Sequence, residues 1–224
     1  MARKPRLHVP GGLYHVISRG NNRQNIFEKA RDRTVFLEFL GDTIRRMEVT
    51  LYAYVLMTNH VHLLVQVADL PLSEFMRRLL IRYTQAFNRR YGRVGHLFQG
   101  RYKAILCQKE TYLKELVRYI HLNPVRARLV KDPADYAWSS HGVYLGARRE
   151  PFVCAGVVLG LFGRSRVQAR QAYRRFVQER IGEGHRPELY RAVEGRYLGS
   201  DEFLEEVKVQ EKRLSQRLSR RRWP

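Results

Sequence analysis

The chain has 224 residues, enough for one well-buried domain of common size plus an appendage. Its 42 Lys and Arg against 21 Asp and Glu leave a formal charge of +21, while 44% of the residues are hydrophobic. That pairing excludes a disordered basic tail and predicts a folded protein whose basic surface meets a polyanion, nucleic acid ahead of an anionic membrane.

In chain order, residues 1–6 are basic, but no apolar segment of signal length follows them. Residues 13–18 read as a first strand, after the Pro10-Gly11-Gly12 turn and before the polar loop Arg19-Gly20-Asn21-Asn22-Arg23. Over residues 31–47, Val35, Phe36, Phe39, Leu40, Ile44 and Met47 recur at helical spacing. Residues 49–57 form a second strand, apolar or aromatic on both faces, which suits a central position. Thr58-Asn59 then turns the chain into a third strand over residues 60–67. A second helix covers residues 72–91, with Phe75, Met76, Leu79, Leu80, Tyr83 and Phe87 as its buried stripe and Arg78, Arg82 and Arg89 outside it. A fourth strand, residues 102–108, follows the Gln99-Gly100-Arg101 turn, and a third helix runs from about residue 110 until Pro124 stops it. Strand, helix, strand, strand, helix, strand is the order of a split β-α-β, ferredoxin-like α+β fold: a mainly antiparallel sheet with two helices on one face. That leaves the third helix free to lie elsewhere, the other face of the sheet included.

Composition shifts near residues 146–151, dividing a main unit, residues 1–146, from a basic helical C-terminal extension, residues 147–224. The longest apolar run, residues 152–162, is broken by Gly156 and Gly160 and is about half of the roughly 20 residues a membrane span needs. A helical segment follows over residues 165–181, with Val167, Phe176, Val177 and Ile181 apolar, then the break Gly182-Glu183-Gly184. A last helix starts with Ser200 as N-cap and Asp201 and Glu202 in its first turn. The chain ends in Arg217, Arg220, Arg221 and Arg222. Cys107 and Cys154, far apart among apolar neighbours, read as small buried hydrophobes in a reducing compartment. The expected setting is the cytoplasm, with no membrane.

The stretch carrying the most chemistry is Asn59-His60-Val61-His62-Leu63-Leu64-Val65. Strand alternation puts His60 and His62 on the same side, where two imidazoles can hold a divalent metal. The third helix carries Tyr119-Ile120-His121-Leu122-Asn123-Pro124-Val125-Arg126, with Tyr119 and Asn123 one turn apart on one face. If that face docks over the histidine strand, Asn123 offers a carbonyl oxygen to the metal and Tyr119 a phenol beside it. In so basic a chain, that arrangement points to attack on a phosphodiester. Tyr112, seven residues earlier on nearly the same face, is the rival nucleophile. His121 lies about 200° around the helix from Tyr119 and reads as a surface or core residue.

Here the chain resembles the single-tyrosine transposases. Asn59-His60-Val61-His62 looks like their His-hydrophobe-His motif, and residues 119–125 look like the tyrosine helix of the branch associated with repetitive extragenic palindromes. The resemblance runs over residues 7–145, including the element order. It implies a metal-dependent (Mg²⁺ or Mn²⁺) enzyme that cuts and rejoins single-stranded, hairpin-bearing DNA through a transient 5′-phosphotyrosine, in the cytoplasm at the nucleoid. By position His60, His62 and Asn123 take the metal-ligand role and Tyr119 the nucleophile role. A homodimer is compatible with it.

Arg19, Asn21, Asn22 and Arg23 on one loop, and Gln99, Arg101 and Lys103 around another, are the candidate DNA contacts. Two other readings stand beside the enzyme. One is a non-catalytic nucleic-acid-binding module on a ferredoxin-like sheet. The other is a structural zinc site built from His60, His62 and a cysteine.

Overall fold

The computed structural model describes residues 8–182 and 196–220. Residues 1–7, Glu183, Gly184, Arg221 and Arg222 therefore lie outside the described residues. The main unit comprises β1 (Leu13–Arg19), α1 (Ala30–Met47), β2 (Thr50–Leu56), β3 (His60–Gln66), α2 (Leu72–Tyr91), β4 (Lys103–Cys107) and α3 (Lys109–His121). Its strands lie in the order β2-β3-β1-β4 with every neighbouring pair antiparallel, the split β-α-β arrangement expected from the element sequence. A fifth strand, β5 (Tyr197–Leu198), pairs in parallel with β4, so the α+β sheet is mixed rather than purely antiparallel. Two residues are too short a segment to leave a periodic signal.

Along β3, His60, His62, Leu64 and Gln66 alternate with Val61, Leu63 and Val65, which are fully buried. On that second face α1 and α2 pack together, with Phe36 and Leu40 facing Phe75, Leu79 and Tyr83 in the core. The Phe36 and Tyr83 rings meet edge to face at 5.1 Å. Each such side chain contributes on the order of 2 kcal/mol when buried. The entry into α1 is held by Asp32, 2% exposed, whose Oδ2 accepts from the backbone N–H groups of Glu28 and Lys29 and from Tyr91 Oη, while Arg90 pairs with Oδ1. α3 takes the histidine face, against β2 and β3.

Three expectations need correction. First, β2 is an edge strand, not a central one. Its apolar faces are explained by the segment that covers the edge: Leu56 N donates to Trp138 O (2.8 Å), Ser140 N to Tyr54 O (3.0 Å) and Cys154 N to Leu51 O (2.8 Å). The opposite edge is closed where Leu106 N and Gln108 N donate to Arg196 O and Leu198 O. The exposed edges of β2 and β4 are thereby withheld from pairing with other chains.

Second, Pro124 does not simply stop the third helix. α3 ends at His121, and α4 (Asn123–Arg126) restarts with Pro124 in its first turn, where a missing N–H costs nothing. Third, of the apolar positions read in the following helix, Val167 is 63% exposed and Ile181 37%. α7 (Arg166–Gln178) instead buries Ala169, Tyr173 and Val177. α5 (His141–Leu145) ends the main unit, and the C-terminal region also holds α6 (Ala155–Gly160) and α8 (Asp201–Arg220), the last capped by Ser200 Oγ accepting from Phe203 N. Tyr144, Val153, Val158, Tyr173 and Leu198 join the same core as the sheet. Cys107 is buried and Cys154 half-buried, both free. No described helix is long and apolar enough to cross a membrane.

Candidate active site

The register of the central strands brings a third histidine to the pair. Ile17 on β1 stands opposite His62 and His15 opposite Leu64, so His15 projects from the face that carries His60 and His62. His15 Nε2 lies 2.9 Å from His62 Nδ1, and the two rings stack at 5.1 Å. His60 meets His62 edge-on at 5.1 Å. The His60 Nδ1 is 2.7 Å from Asn59 Oδ1, and Asn59 Nδ2 donates to Arg23 O at 3.1 Å. A carbonyl oxygen can only accept, so His60 carries its proton on Nδ1 and keeps its lone pair on Nε2.

Burial, with the charge of Arg19 added, lowers His60 to about 4. Burial and then Lys103 lower His15 to about 3. His62 is pushed well below the ordinary 6.5 by burial, then by His15, His60 and Arg19. All three imidazoles are neutral at pH 7, the state in which histidine ligates metals.

α3 lays Tyr119 across this face. Its ring sits edge-on to His15 at 5.9 Å and to His62 at 6.3 Å. It is Tyr119, rather than the half-buried Tyr112, that packs on the histidines. Asn123 Nδ2 donates to Tyr119 O (2.9 Å) and Ile120 O (3.3 Å), the second being the carbonyl that Pro124, without an N–H, leaves open. Because the amide NH₂ group must face those acceptors, Oδ1 is the atom of Asn123 that remains able to ligate. Burial pushes the Tyr119 phenol well above 10, opposed by the charge of Arg126 and a hydrogen bond with Asn123.

Tyr119, His60, Asn123 and Arg126 line one cleft of about 480 Å³, with Arg128 and Arg180 also on its walls. The donor set fits a divalent ion: two neutral imidazoles on one face and an amide oxygen on the adjoining helix. Imidazole favours transition ions over Mg²⁺, so the residues suit Mn²⁺ better. Among the described residues no three His, Cys, Asp or Glu side chains are grouped to hold a metal. The zinc reading with a cysteine thus has no cluster to rest on there.

The two polar loops converge. Asn21 N donates to Leu97 O and Gln99 N to Arg19 O, both at 2.8 Å, extending the β1–β4 side of the sheet beyond its strands. Gly20 N donates to Asn59 O (2.8 Å), tying the first loop to the turn that delivers His60. A Cβ on Gly20 would lie 2.1 Å from Gln24 O, so only glycine closes this loop. Arg19, Asn21, Asn22, Arg23, Gln99, Arg101 and Lys103 are all exposed there, with Asn22 and Arg23 in left-handed backbone at φ 47° and 58°. Lys103 is the first residue of β4.

Sequence reasoning missed His15 and Arg126. A lone histidine in an apolar strand carries no motif, although antiparallel register with residues 60–66 places it beside His62. Arg126 is quoted within the tyrosine helix but lies beyond Pro124, which reads as a stop. His121 is fully buried and bonded at both ring nitrogens, to Tyr173 Oη (2.6 Å) and Ser140 Oγ (2.7 Å), a core residue.

Among solved structures, the chain is similar to a REP-associated tyrosine transposase bound to a REP hairpin, with 19% identity and a TM-score of 0.56 over 68% of this chain and 90% of that one. A protein of Deinococcus radiodurans R1, described as a candidate transposase, aligns at 18% identity over 53% of this chain and 95% of that one, with a TM-score of 0.39. No curated protein matches the chain. The family described as IS200-like transposases matches residues 8–123, more than half of the chain, including the histidine strand and α3 with Tyr119. The chain belongs to the IS200-like transposase family.

Proposed function

We propose that this protein cuts and rejoins single-stranded DNA, with Tyr119 as the nucleophile and His60, His62 and Asn123 as ligands of a divalent ion. The observation carrying this reading is the convergence of Tyr119, His60 and Asn123 on one cleft, with the Tyr119 ring packed on His62. Attack by the phenol oxygen forms an O–P bond as the P–O3′ bond breaks, leaving a 5′-phosphotyrosine and a free 3′-hydroxyl. The phenol proton passes to solvent and the departing 3′-oxygen takes one up. Reversal by another 3′-hydroxyl rejoins strands. The bound ion would polarise the phosphate and offset its charge against the incoming phenolate. This chain's own part is to hold two imidazoles neutral and oriented, His60 by Asn59 and His62 by His15, and to seat the phenol against them.

The substrate we infer is a hairpin-bearing strand, by analogy with the REP hairpin held by the relative above. The convergent loops at residues 19–23 and 99–103 would grip phosphates and unstacked bases. A second reading, a hairpin binder without chemistry, draws on the burial of Tyr119, 3% exposed with its phenol held protonated.

The test is incubation of wild type, His60→Ala and Tyr119→Phe with labelled hairpin oligonucleotides and Mn²⁺ or Mg²⁺, followed by a denaturing gel. The expected result is a covalent adduct that needs Tyr119, His60 and the ion, with Mn²⁺ the more effective. An adduct that persists in Tyr119→Phe would overturn the nucleophile, and cleavage indifferent to chelator would overturn the metal. Tight binding with no adduct would establish the second reading.

A further inference from the structure

We infer that Arg126 is a catalytic residue of this site: its guanidinium receives the non-bridging oxygens of the scissile phosphate and neutralises the charge that builds there during attack. The inference rests on the reading of Tyr119 as nucleophile. Arg126 is half-buried and tied to that residue at two points. Its Nη1 donates to Tyr119 O at 3.0 Å, and its guanidinium carbon stands 4.7 Å from the centre of the Tyr119 ring. It lines the cleft with Tyr119, His60 and Asn123, so a phosphorus atom within reach of the phenol oxygen would also be near the guanidinium.

The duller account is that Arg126 caps the end of α3. The Tyr119 carbonyl, however, already receives Asn123 Nδ2 at 2.9 Å, so helix termination does not require an arginine. The surroundings favour an anion as well. Arg128 and Arg180 share the cleft walls. A planar guanidinium matches two phosphate oxygens at once, which a lysine ammonium does not. In the step itself the O–P bond forms as P–O3′ breaks. The phosphoryl oxygens carry excess charge in between, and that is where a fixed cation acts.

The test compares adduct formation on two hairpins that differ only at the cleaved linkage, one a phosphodiester and one a neutral methylphosphonate, for wild type, Arg126→Gln and Arg126→Lys. Arg126→Gln should slow the phosphodiester reaction on the order of 10² to 10³-fold. On the methylphosphonate, which presents no charge to neutralise, the variant should stay within roughly tenfold of wild type. Arg126→Lys should recover part of the loss on the phosphodiester. The ratio between substrates is taken within one protein preparation, so a smaller folded fraction cannot mimic it. Equal slowing on both substrates would overturn the role of Arg126 while leaving Tyr119 as nucleophile. Wild type that forms no Tyr119-dependent adduct would overturn both, and this is seen before any Arg126 variant is examined.

Discussion

The molecule contains two clusters built from the same side chains and put to opposite uses. In one, His15 and His62 pack on Tyr119 and His60 packs on His62, with His60 and Tyr119 on the wall of a cleft. In the other, His121 and His141 both meet the hydroxyl of Tyr173 at 2.6 Å, sealed between α3, α5 and α7. Burial lowers the histidines of both clusters and raises both phenols, so altered acidity does not distinguish them. Hydrogen-bond closure does. His121 has both nitrogens bonded and nothing left to offer, whereas His60 and His62 are bonded through Nδ1 alone among the described residues. A histidine sealed in the core with both ring nitrogens bonded, as His121 is, is scaffold; a pair that keeps ring nitrogens beside a cleft is a site.

The sharpest way to break this contrast is to remove one hydroxyl from each cluster. Tyr119→Phe should abolish the DNA adduct and cost no more than about 1.5 kcal/mol of stability, the worth of the one hydrogen bond its hydroxyl makes. Tyr173→Phe should do the reverse, keeping the adduct in the folded fraction. It leaves His121 and His141 each short of a partner, at about 1–3 kcal/mol apiece. Denaturant midpoints and adduct yields measured on both variants decide it. If Tyr173→Phe loses the adduct at full stability, the sealed cluster is part of the chemistry and the distinction fails.

The next effect concerns His15. As the residue holding His62 Nδ1, it should act on the ion without touching it. His15→Phe is expected to weaken Mn²⁺ binding by about 10- to 100-fold, the range seen for groups that orient a metal ligand. Calorimetry with Mn²⁺ alone reads this independently of cleavage, and unchanged affinity would reduce His15 to packing.

The sealed cluster makes its own prediction through pH. Burial lowers His121 well below 6.5, with His141 and Arg148 adding to it. His141 is lowered to about 4 by burial and by Arg174 and Arg148, against an opposing pull from Asp132. The unfolded chain therefore binds more protons than the folded one below 6.5. Stability from this cluster is complete above that pH and falls as the pH drops through 6.5 toward 4. The denaturation midpoint should decline over that window, and less so in His141→Gln. Parallel declines in both proteins would show that other groups carry the acid sensitivity.

How much of this was legible in the sequence follows from what was local. Residues 72–91 read as a helix and are one, because twenty residues of regular apolar spacing overwhelm end effects. His60, His62, Tyr119 and Asn123 carry a motif and could be read singly, and the structure brings them together at one cleft or on the face that floors it. What stayed hidden depends on pairing at long range. The burial of β2 at an edge is caused by residues 138–154, and β5 is two residues that meet β4 only after the chain returns. Arg126 was obscured by a local rule applied too strongly. Proline ends helices from within, but in the first turn of α4 it costs nothing, and the restarted turn carries Arg126 back to Tyr119.

The smallest expected effect lies in the arginines, where a second pair of regions can be set against each other. On the outer side of α2, Arg77 and Arg78 both bond Glu74, which offsets half of their charge and holds both side chains on the helix. At the convergent loops, Arg19, Arg23 and Arg101 are exposed beside the strand end that carries His60. Each loop arginine that contacts a phosphate should, when changed to alanine, lower the slope of log affinity against log salt by about 0.7 for single-stranded DNA. Arg77→Ala and Arg78→Ala should leave the slope alone, although they remove the same formal charge from a chain of +21. Fluorescence anisotropy over a salt series measures this without cleavage. If all five variants shift the slope alike, the DNA is bound by overall charge rather than by these loops, and their place beside the histidine strand is then a matter of folding only.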